Sequence, residues 1–477
     1  MSLLQTLRFA ATVHLQKGAM RFSKEKLEQV QRARMQKVVR HAMAHSDFYR
    51  QKFRSINVNK FRLADLPPTT KDEIRGNYDA VVTDKRLRLA ELQSFIADSA
   101  NLGRWFLGEY AVTQTSGSQG APLVIVQHRR CIELIFALMA ARSSVAKPTL
   151  NEAFQRLFRP RKVAAISFRR GFYPSGMTLE YMQELLGSFV QVTRFASAQP
   201  DLVERLNDLQ PAVITANASV LEALAMHPDR LQLKSLKYLT SSSEELSEGA
   251  RTRIEAAMKA PVFDHYGAGE CLQLGDGCPR CRKLHINADW AYVEVVDNDY
   301  QPVPAGTTGT KLLVTNLANF AQPFIRYEIA DCIALSAENR CHGNPMPQIE
   351  CIEGRAADLL CVNEGNTKRF LSGIMFHTVF SAMRGVREWR VYQRERNRLE
   401  FQLQLLDAAT IAGTTVEEQL TGRLREFGLP ESVIVEVRFV PELAPDPKTG
   451  KMRRIINEVG WPDSTTDSLQ RVGELKH

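Results

Sequence analysis

The sequence predicts an α/β protein whose large N-terminal region contains parallel sheets covered by helices and whose smaller C-terminal region is α+β. Between residues 130 and 270, short apolar runs alternate with amphipathic segments, a pattern typical of a parallel sheet with helices on both faces. From about residue 360 the pattern changes to strand-like runs grouped around one helical segment. A chain of 477 residues is too long for one simple core, so two or three domains are expected.

The N-terminal region begins with helical sequence. Ser23 is placed to cap a helix that runs to about residue 45 and carries apolar residues along one broad face. A polar, proline-containing segment from Leu66 to Glu73 follows. In the alternating region we predict helices over 131–145, 178–189, 219–226 and 247–258, and strands over 162–168, 212–215, 236–240 and 261–265.

The sequence after residue 285 has a different character. Short β-type runs at 291–296, 311–315 and 332–336 are separated by turns such as Pro304-Ala305-Gly306. Near the C-terminus we predict strands at 387–393, 399–405 and 433–439 and a helix at 416–427. Short charged and small residues at Gly354–Asp358 separate the two compositions, so we place a boundary there, between domains of residues 1–356 and 357–477.

Composition and charge exclude several classes of protein. Hydrophobic residues make up 44% and charged residues 24%, which is ordinary for a globular protein. The net charge is +9, but the basic residues are spread along the chain rather than gathered into one stripe, so no nucleic-acid partner is expected. No apolar run approaches the roughly 18–20 residues that span a bilayer. The N-terminal sequence lacks the apolar core of a signal peptide, and a cytoplasmic location is expected.

The cysteines are concentrated in one part of the chain. Seven of the eight fall between residues 271 and 361, and without an export signal they indicate thiols or metal ligands rather than disulfides. Cys278, Cys281 and His285 have the spacing of three ligands of a structural zinc site, which needs a fourth. Cys341 is our candidate, with Cys332 as the alternative. A cluster of reduced thiols beneath a loop is the other interpretation.

A loop rich in hydroxyls and glycines, Thr115-Ser116-Gly117-Ser118-Gln119-Gly120, has the composition of a phosphate-holding loop, although alone it is more typical of a linker. It lacks the Gly-Lys-Ser/Thr ending of a Walker A motif. Four further strings follow it in fixed order: HYGAGE at 265–270, PFIRYEIAD at 323–331, GRAAD at 354–358 and TGKMRR at 449–454.

This set of motifs, in this order and spacing, resembles the adenylate-forming ligase superfamily, and within it most closely the phenylacetate–CoA ligase and capsule-protein-like branch. The resemblance covers nearly the whole chain, including the entry segment His41–Tyr49. It implies a large N-terminal adenylation domain and a small C-terminal lid domain. It also implies ATP-dependent conversion of a carboxylic acid, with an aryl or arylacetic acid favoured, to an acyl-adenylate with release of pyrophosphate. The acyl group would then pass to the thiol of CoA or of a carrier-protein phosphopantetheine.

The resemblance also implies roles for individual residues around Mg²⁺ and ATP. Hydroxyl and backbone N–H donors of the loop would hold phosphate oxygens, and a carboxylate oxygen suits magnesium. The residues implied in phosphate binding are Thr115, Ser116, Gly117, Ser118 and Gly120. Glu270 would hold magnesium, Tyr266 and Gly267 would flank the adenine, and Asp331 would accept both ribose hydroxyls.

The remaining implied site residues are more scattered. Ser243 and Glu244 match a strand-end turn that meets substrate or nucleotide, and Arg326 and Arg355 match positions near the nucleotide. Lys451, between glycine and methionine in the last motif, would enter the site with the C-terminal domain and neutralise charge that develops during adenylation. The branch also carries a cysteine/histidine metal site in the regions of Cys278 and Cys341.

Several positions depart from the pattern of the superfamily. Ala121 stands where many members have lysine, Gln119 where threonine is usual, and Ala357 where an acidic hinge residue is usual. Adenylation is therefore better supported than the thiol-transfer step. Two alternatives stay open: a ligase that passes the acyl group to an amine, and a non-catalytic, zinc-stabilised relative that acts as a binding protein.

Overall fold

The computed structural model describes most of the chain. It leaves out residues 1–2, 116–121, 143–159, 168–170, 198, 200, 245, 247, 339–340, 342–343, 356–359, 366, 372–374, 377–378, 381–382, 384, 407–412, 428, 445–451, 460–469 and 472–477. Contacts divide the chain into two compact units, one of Met1–Ile329 with Ala334–Glu350 and one of Ala330–Ile333 with Cys351–His477.

The first unit begins with helices. They are α1 (Leu3–Ala19), α2 (Lys24–His45), α3 (Asp47–Lys52), α4 (Lys71–Gly76), α5 (Tyr78–Val81) and α6 (Leu89–Ala97). As predicted, Ser23 caps α2, and its hydroxyl accepts a hydrogen bond from the N–H of Lys26 at 3.2 Å. The buried Tyr49 of α3 donates its hydroxyl to the carbonyl of Pro323 at 2.8 Å, which ties this helical entry to the later PFIRYEIAD string.

A seven-stranded sheet forms the centre of the first unit. Its strands are β3 (Arg161–Ser167), β4 (Val190–Ala196), β5 (Val213–Ala216), β6 (Tyr238–Ser242), β7 (Val262–Ala268), β8 (Cys271–Gly277) and β9 (Leu284–Ile286), in the order β4-β3-β5-β6-β7-β8-β9. The pairs from β4 to β7 are parallel, and β8 and β9 continue the sheet in antiparallel pairing.

Helices alternate with these strands as the sequence pattern indicated. They are α7 (Arg129–Arg142), α8 (Pro174–Leu186), α9 (Leu202–Leu209), α10 (Ala218–Ala225) and α11 (Glu248–Met258). Ile214, Leu239 and Ile254 are fully buried in the core between strands and helices. A parallel sheet buried in this way brings its carboxyl strand ends to one edge, where α/β proteins bind ligands.

Two smaller sheets complete the first unit. Strands β1 (Tyr110–Gln114) and β2 (Val124–His128) form an antiparallel hairpin, and β10 (Ala291–Val296), β11 (Lys311–Asn316) and β12 (Tyr327–Ile329) form an antiparallel sheet. Strands β13 (Asp331–Leu335) and β14 (Ile349–Arg355) pair where the chain passes from one unit to the other.

The second unit is α+β. It contains β15 (Leu360–Glu364), β16 (Thr367–Leu371), β17 (Val386–Glu395), β18 (Arg398–Leu405), α12 (Gly413–Glu426), β19 (Ile434–Phe439), β20 (Ile455–Asn457) and β21 (Gln470–Arg471). The sheet β19-β18-β17-β20 carries a core of its own, in which Leu420 of α12 packs with Val391 and Phe401, all fully buried. Each unit therefore has its own hydrophobic core.

Candidate active site

The carboxyl ends of β5, β6 and β7 meet at one edge of the central sheet. Ser243, directly after β6, has a positive φ of 70°, a left-handed backbone conformation that turns the chain sharply at the strand end. The next residue, Glu244, accepts a hydrogen bond at 3.2 Å from the side-chain amide of Asn217, which follows β5. Ser243 and Glu244 therefore lie at the sheet edge where the sequence predicted a site.

Glu270 lies in the turn between β7 and β8, with 7% of its surface exposed. Its Oε1 accepts a hydrogen bond from the Tyr327 hydroxyl at 2.8 Å, and its backbone carbonyl accepts one from the Asn316 amide at 2.8 Å. Burial raises the pKa of the Tyr327 hydroxyl and the neighbouring carboxylate raises it further, so the hydroxyl stays protonated and donates. The carboxylate is thus oriented by β12, a strand of a different sheet.

Two glycines permit the tight packing around this turn. A Cβ on Gly267 would lie 2.1 Å from the carbonyl oxygen of Leu272, so only glycine fits there. A Cβ on Gly269 would lie 2.8 Å from Cδ1 of Ile125 and 3.4 Å from Cγ2 of Thr115. Gly267 therefore allows the close approach of β7 and β8, and Gly269 allows the β1–β2 hairpin to pack against the turn that carries Glu270.

Thr115 closes the base of the hydroxyl-rich loop. Its N–H donates to the carbonyl of Leu123 at 2.9 Å, and the N–H of Leu123 donates back to the Thr115 hydroxyl at 2.9 Å. Two hydrogen bonds between Thr115 and Leu123 therefore join the two ends of the loop, beside Gly269. Four of its predicted phosphate-binding residues lie outside the described residues: Ser116, Gly117, Ser118 and Gly120.

Arg326 directly precedes Tyr327, but its guanidinium forms hydrogen bonds with residues outside the Glu270 turn. Its guanidinium donates to both carboxylate oxygens of Glu294 at 3.0 Å and to the carbonyl of Leu66, and the residue is 5% exposed with a positive φ of 43°. Burial raises the pKa of Glu294 above its ordinary value, although the facing guanidinium opposes this. These contacts make Arg326 a brace between β10, β12 and the segment before α4, and its nucleotide contact stays a prediction.

The other predicted nucleotide residues are less fully defined. Tyr266 and Gly267 lie near the carboxyl end of β7, and the half-buried Asp331 is the first residue of β13. Arg355 is the last residue of β14, and its side chain and Lys451 lie outside the part of the chain that the structure describes. Their roles stay predictions.

A buried polar network that the sequence did not indicate lies beside the site. His265 Nδ1 is 2.7 Å from Oδ1 of Asp276, and the other Asp276 oxygen accepts from the Asn287 amide at 2.8 Å. Arg142 of α7 donates to Asn287 and to Asp289, the latter at 2.6 Å. Burial is the largest influence on the pKa of Asp276 and would raise it, but the hydrogen bond and charge of His265, the Asn287 amide and the charge of Arg142 together leave that pKa below its ordinary value. Because these residues are up to 147 positions apart, no local spacing could reveal the network.

The four predicted zinc ligands are brought together in a second cluster. The ligand atoms of Cys278, Cys281, His285 and Cys341 all lie within 4.8 Å of one another. Cys278 and Cys281 lie in a tight turn between β8 and β9, in which the N–H of Arg282 donates to the Cys278 carbonyl at 2.9 Å. Cys332, the other candidate for the fourth ligand, is buried in β13 and does not belong to the cluster found among the described residues.

The donor set fits a structural zinc ion. His285 Nδ1 lies 2.8 Å from the carbonyl of Met346, so a neutral imidazole donates there and turns its Nε2 lone pair towards the cluster, 3.1 Å from Cys281 Sγ. Three thiolates and one imidazole make a closed tetrahedral site without a position for substrate. The cluster therefore suits a stabilising role rather than catalysis.

Replacing Cys281 by serine is expected to remove most of the metal from the purified protein, because hydroxyl oxygen is a poor zinc ligand beside two thiolates. Inductively coupled plasma mass spectrometry on protein purified without chelators measures this directly, with about one zinc per chain expected for the unchanged protein. Cys351→Ser, at a half-buried position in β14, is the matched control and should keep its zinc. Full metal content in the Cys281→Ser variant would remove Cys281 as a ligand.

Comparison with known proteins gives the family context of this geometry. No protein-family model matches the chain. Phenylacetate–coenzyme A ligase of Escherichia coli strain K12 is 26% identical over 366 residues, which are 72% of this chain and 74% of that protein. Protein CapK of Staphylococcus aureus is 20% identical over 343 residues, 65% of this chain and 64% of CapK.

A solved structure matches over nearly the whole chain. The 2-hydroxyisobutyryl-CoA ligase in complex with 2-HIB-AMP, in its postadenylation state, superposes with a TM-score of 0.70 at 20% identity, covering 91% of this chain and 90% of that one. The chain has the adenylate-forming ligase fold. The predicted α/β class and the predicted resemblance to the phenylacetate–CoA ligase and capsule-protein-like branch are confirmed.

The described parts of the candidate active site are the base of the β1–β2 loop, closed by the Thr115–Leu123 hydrogen bonds, and the turn that carries Glu270. Gly269 allows them to pack together, and β12 adds the Tyr327 hydroxyl. The part of the chain that the structure describes contains no helix long and apolar enough to cross a membrane.

Proposed function

We propose that the protein activates a carboxylic acid with Mg·ATP to an acyl-adenylate, releases pyrophosphate and transfers the acyl group to the thiol of CoA. One observation carries the proposal. The base of the hydroxyl- and glycine-rich loop packs against the turn that presents the buried, oriented carboxylate of Glu270, at the carboxyl edge of a parallel sheet. The similarity to acyl-CoA ligases over most of the chain supports it.

In the first step, a carboxylate oxygen attacks the α-phosphorus of ATP, the bond from that phosphorus to the bridging oxygen breaks, and pyrophosphate leaves. Two anions must approach each other, so catalysis consists mainly of positioning and charge neutralisation. Loop donors from Thr115 to Gly120 would bind phosphate oxygens, and Asp331 would orient the ribose. Magnesium, held through Glu270, would offset phosphate charge.

In the second step, the thiol sulfur attacks the acyl carbonyl carbon, the bond to the AMP oxygen breaks, and AMP leaves. CoA is the acceptor we favour, because the similar proteins are named as CoA ligases. A carrier-protein phosphopantetheine presents the same thiol. Product analysis with and without CoA distinguishes a thioester product from an enzyme that stops at the adenylate or transfers to an amine.

The cysteine/histidine cluster would hold a structural zinc ion close to this site, and we place the activity in the cytoplasm, where ATP and CoA are available. The eight cysteines, all free thiols, support a reducing compartment. An aryl or arylacetic acid is the substrate class that the branch favours.

Replacing Lys451 by alanine is expected to lower acid-dependent ATP–pyrophosphate exchange about 10²-fold or more, because the ammonium would neutralise charge that develops in the transition state. A panel of aryl, arylacetic and aliphatic acids serves as substrate. Lys448→Ala, three residues earlier, is the matched control and should exchange like the unchanged protein. Folded protein that neither binds ATP nor exchanges pyrophosphate with any acid would overturn the proposed function.

A further inference from the structure

A row of polar residues crosses the central sheet on one face and ends at the candidate active site. Ser242 of β6 is in register with His265 of β7, His265 with Asp276 of β8, and Asp276 with His285 of β9. Residues in register on neighbouring strands share a face of the sheet, so these four side chains lie side by side. The row therefore runs from the cysteine/histidine cluster to the Ser243–Glu244 turn.

Within the row, one ring nitrogen of His265 is hydrogen-bonded and the other has no partner among the described residues. Its Nδ1 pairs with Asp276 at 2.7 Å, and Asp276 is itself held by the amides of Asn287 and Gln273. Its Nε2 has no hydrogen-bond partner among the residues that the structure describes, although only 12% of the side chain is exposed. Buried polar atoms are normally paired, and one held in place without a partner calls for an explanation.

The position of His265 supplies that explanation. It immediately precedes Tyr266 and Gly267, at the carboxyl end of β7. In the turn that follows β7, Gly269 packs against Pro174 at the start of α8. A Cβ added to Gly269 would lie 3.3 Å from Cγ of Pro174. The free ring nitrogen thus belongs to the same strand end as the turn of Glu270, where an acid substrate must lie close to the α-phosphate.

We propose that His265 is a specificity-determining residue whose Nε2 forms a hydrogen bond with a hydroxyl group on the carboxylic acid, so that the substrate is a hydroxyl-substituted acid. The inference rests on the proposed function, since it names the substrate class of the same site. A hydroxyl group both donates and accepts, so it pairs with Nε2 whether or not that nitrogen carries a proton. An unsubstituted acid would leave this nitrogen, on a side chain only 12% exposed, without a partner, and sites built to pair with a substrate hydroxyl discriminate strongly against acids that lack it.

The Asp276 carboxylate has a positioning role in this arrangement. It fixes the rotation of the imidazole through Nδ1, and the Asn287 and Gln273 amides fix the carboxylate in turn. Asn287 in turn accepts a hydrogen bond from Arg142, which forms a buried ion pair with Asp289; the two side chains of that pair are 3% and 0% exposed. The hydrogen-bonding direction of Nε2 is therefore set before any substrate binds.

Two substitutions at His265 test the roles of its two ring nitrogens separately. The short amide of His265→Asn can still donate towards Asp276 but places nothing at Nε2, whereas the longer amide of His265→Gln places a polar group near Nε2. Asp264→Asn is the matched control, because Asp264 immediately precedes His265 in β7, is also buried with one oxygen unpaired among the described residues, and lies on the opposite face.

The experiment compares matched acids with and without the hydroxyl group. The three ring isomers of hydroxyphenylacetic acid are compared with phenylacetic acid, and the hydroxybenzoic acids with benzoic acid, in ATP–pyrophosphate exchange. Binding of each acid without ATP is measured by calorimetry in parallel. We expect kcat/KM to favour one hydroxylated isomer over its parent by about 10²-fold or more. His265→Asn should bring the ratio close to one, His265→Gln should retain part of it, and Asp264→Asn should keep all of it.

Each outcome of this comparison supports or overturns the role of His265 in substrate specificity. A ratio near or below one for every pair in the unchanged protein overturns the inference, as does a ratio that survives His265→Asn. Exchange that occurs without preference for hydroxylated acids removes the inference and leaves the proposed function standing. A hydroxyl-dependent binding preference that His265→Asn removes, in protein that exchanges no pyrophosphate, supports the inference and contradicts the proposed ligase function.

Discussion

Replacing Glu270 by glutamine is expected to lower acid-dependent ATP–pyrophosphate exchange about 10²- to 10³-fold, with the fold retained. The amide oxygen keeps the shape of the carboxylate and can still accept from the Tyr327 hydroxyl, which donates at 2.8 Å in the unchanged protein. The negative charge that would hold magnesium is lost, so the remaining activity should require a higher magnesium concentration. Exchange rates measured across a magnesium titration test both expectations.

Glu328→Gln is the matched control for this prediction. Glu328 lies one residue after Tyr327 but pairs with Lys311 at 3.3 Å, away from the turn that carries Glu270. We expect unchanged exchange and magnesium dependence in this variant. Wild-type exchange by Glu270→Gln at every magnesium concentration would contradict a role for Glu270 in holding the ion.

The second large effect concerns stability rather than chemistry. Replacing Arg326 by methionine is expected to lower the free energy of unfolding by about 3–5 kcal/mol, because it leaves the Glu294 carboxylate buried without its partner. The two side chains are only 6% and 14% exposed and form a two-pronged ion pair at 3.0 Å. The variant also loses the hydrogen bond to the Leu66 carbonyl. Urea unfolding followed by tryptophan fluorescence measures the change.

Two further variants show whether the buried charge is the cause. Adding Glu294→Leu to Arg326→Met should recover part of the lost stability, since the double variant has no unpaired buried charge. Arg398→Met breaks an exposed pair with Glu436, whose side chains are 37% and 44% exposed, and should cost about 1 kcal/mol or less. Unchanged stability in Arg326→Met, together with lost exchange, would favour direct nucleotide contact over the bracing role.

Periodicity predicted the alternating elements of the central sheet, because local sequence determines which residues face the core. The strand predicted at 261–265 is present as β7 but continues to Ala268, since β8 pairs with it beyond that point. β8 itself has glycines at 275 and 277 and no clear alternation, so nothing local indicated a strand. A Cβ on Gly277 would lie 3.0 Å from the backbone of Asp264, which explains the glycine.

The candidate site was predictable to the extent that it is carried by contiguous motifs. The HYGAGE string predicted that Glu270 follows a strand end, and the cysteine/histidine spacing indicated three of the four residues that cluster at the candidate metal site. Partnerships over long sequence distances were not accessible. Tyr327 lies 57 residues from Glu270, and Arg326 lies 32 residues from Glu294. Only the folded chain shows that Arg326 forms an ion pair with Glu294 and that one nitrogen of His265 is unpaired among the described residues.

The cysteine/histidine cluster also has a topological consequence. Cys278 and Cys341 are 63 positions apart, so an ion bound by both closes, through coordinate bonds, a loop of the chain that contains the strands from β9 to β13. A cross-link of this kind removes conformational entropy from the unfolded chain and so stabilises the folded state. Tyr327, which orients Glu270, lies inside the loop. A zinc ion bound there would thus stabilise the part of the chain that carries Tyr327, the residue that orients the Glu270 carboxylate.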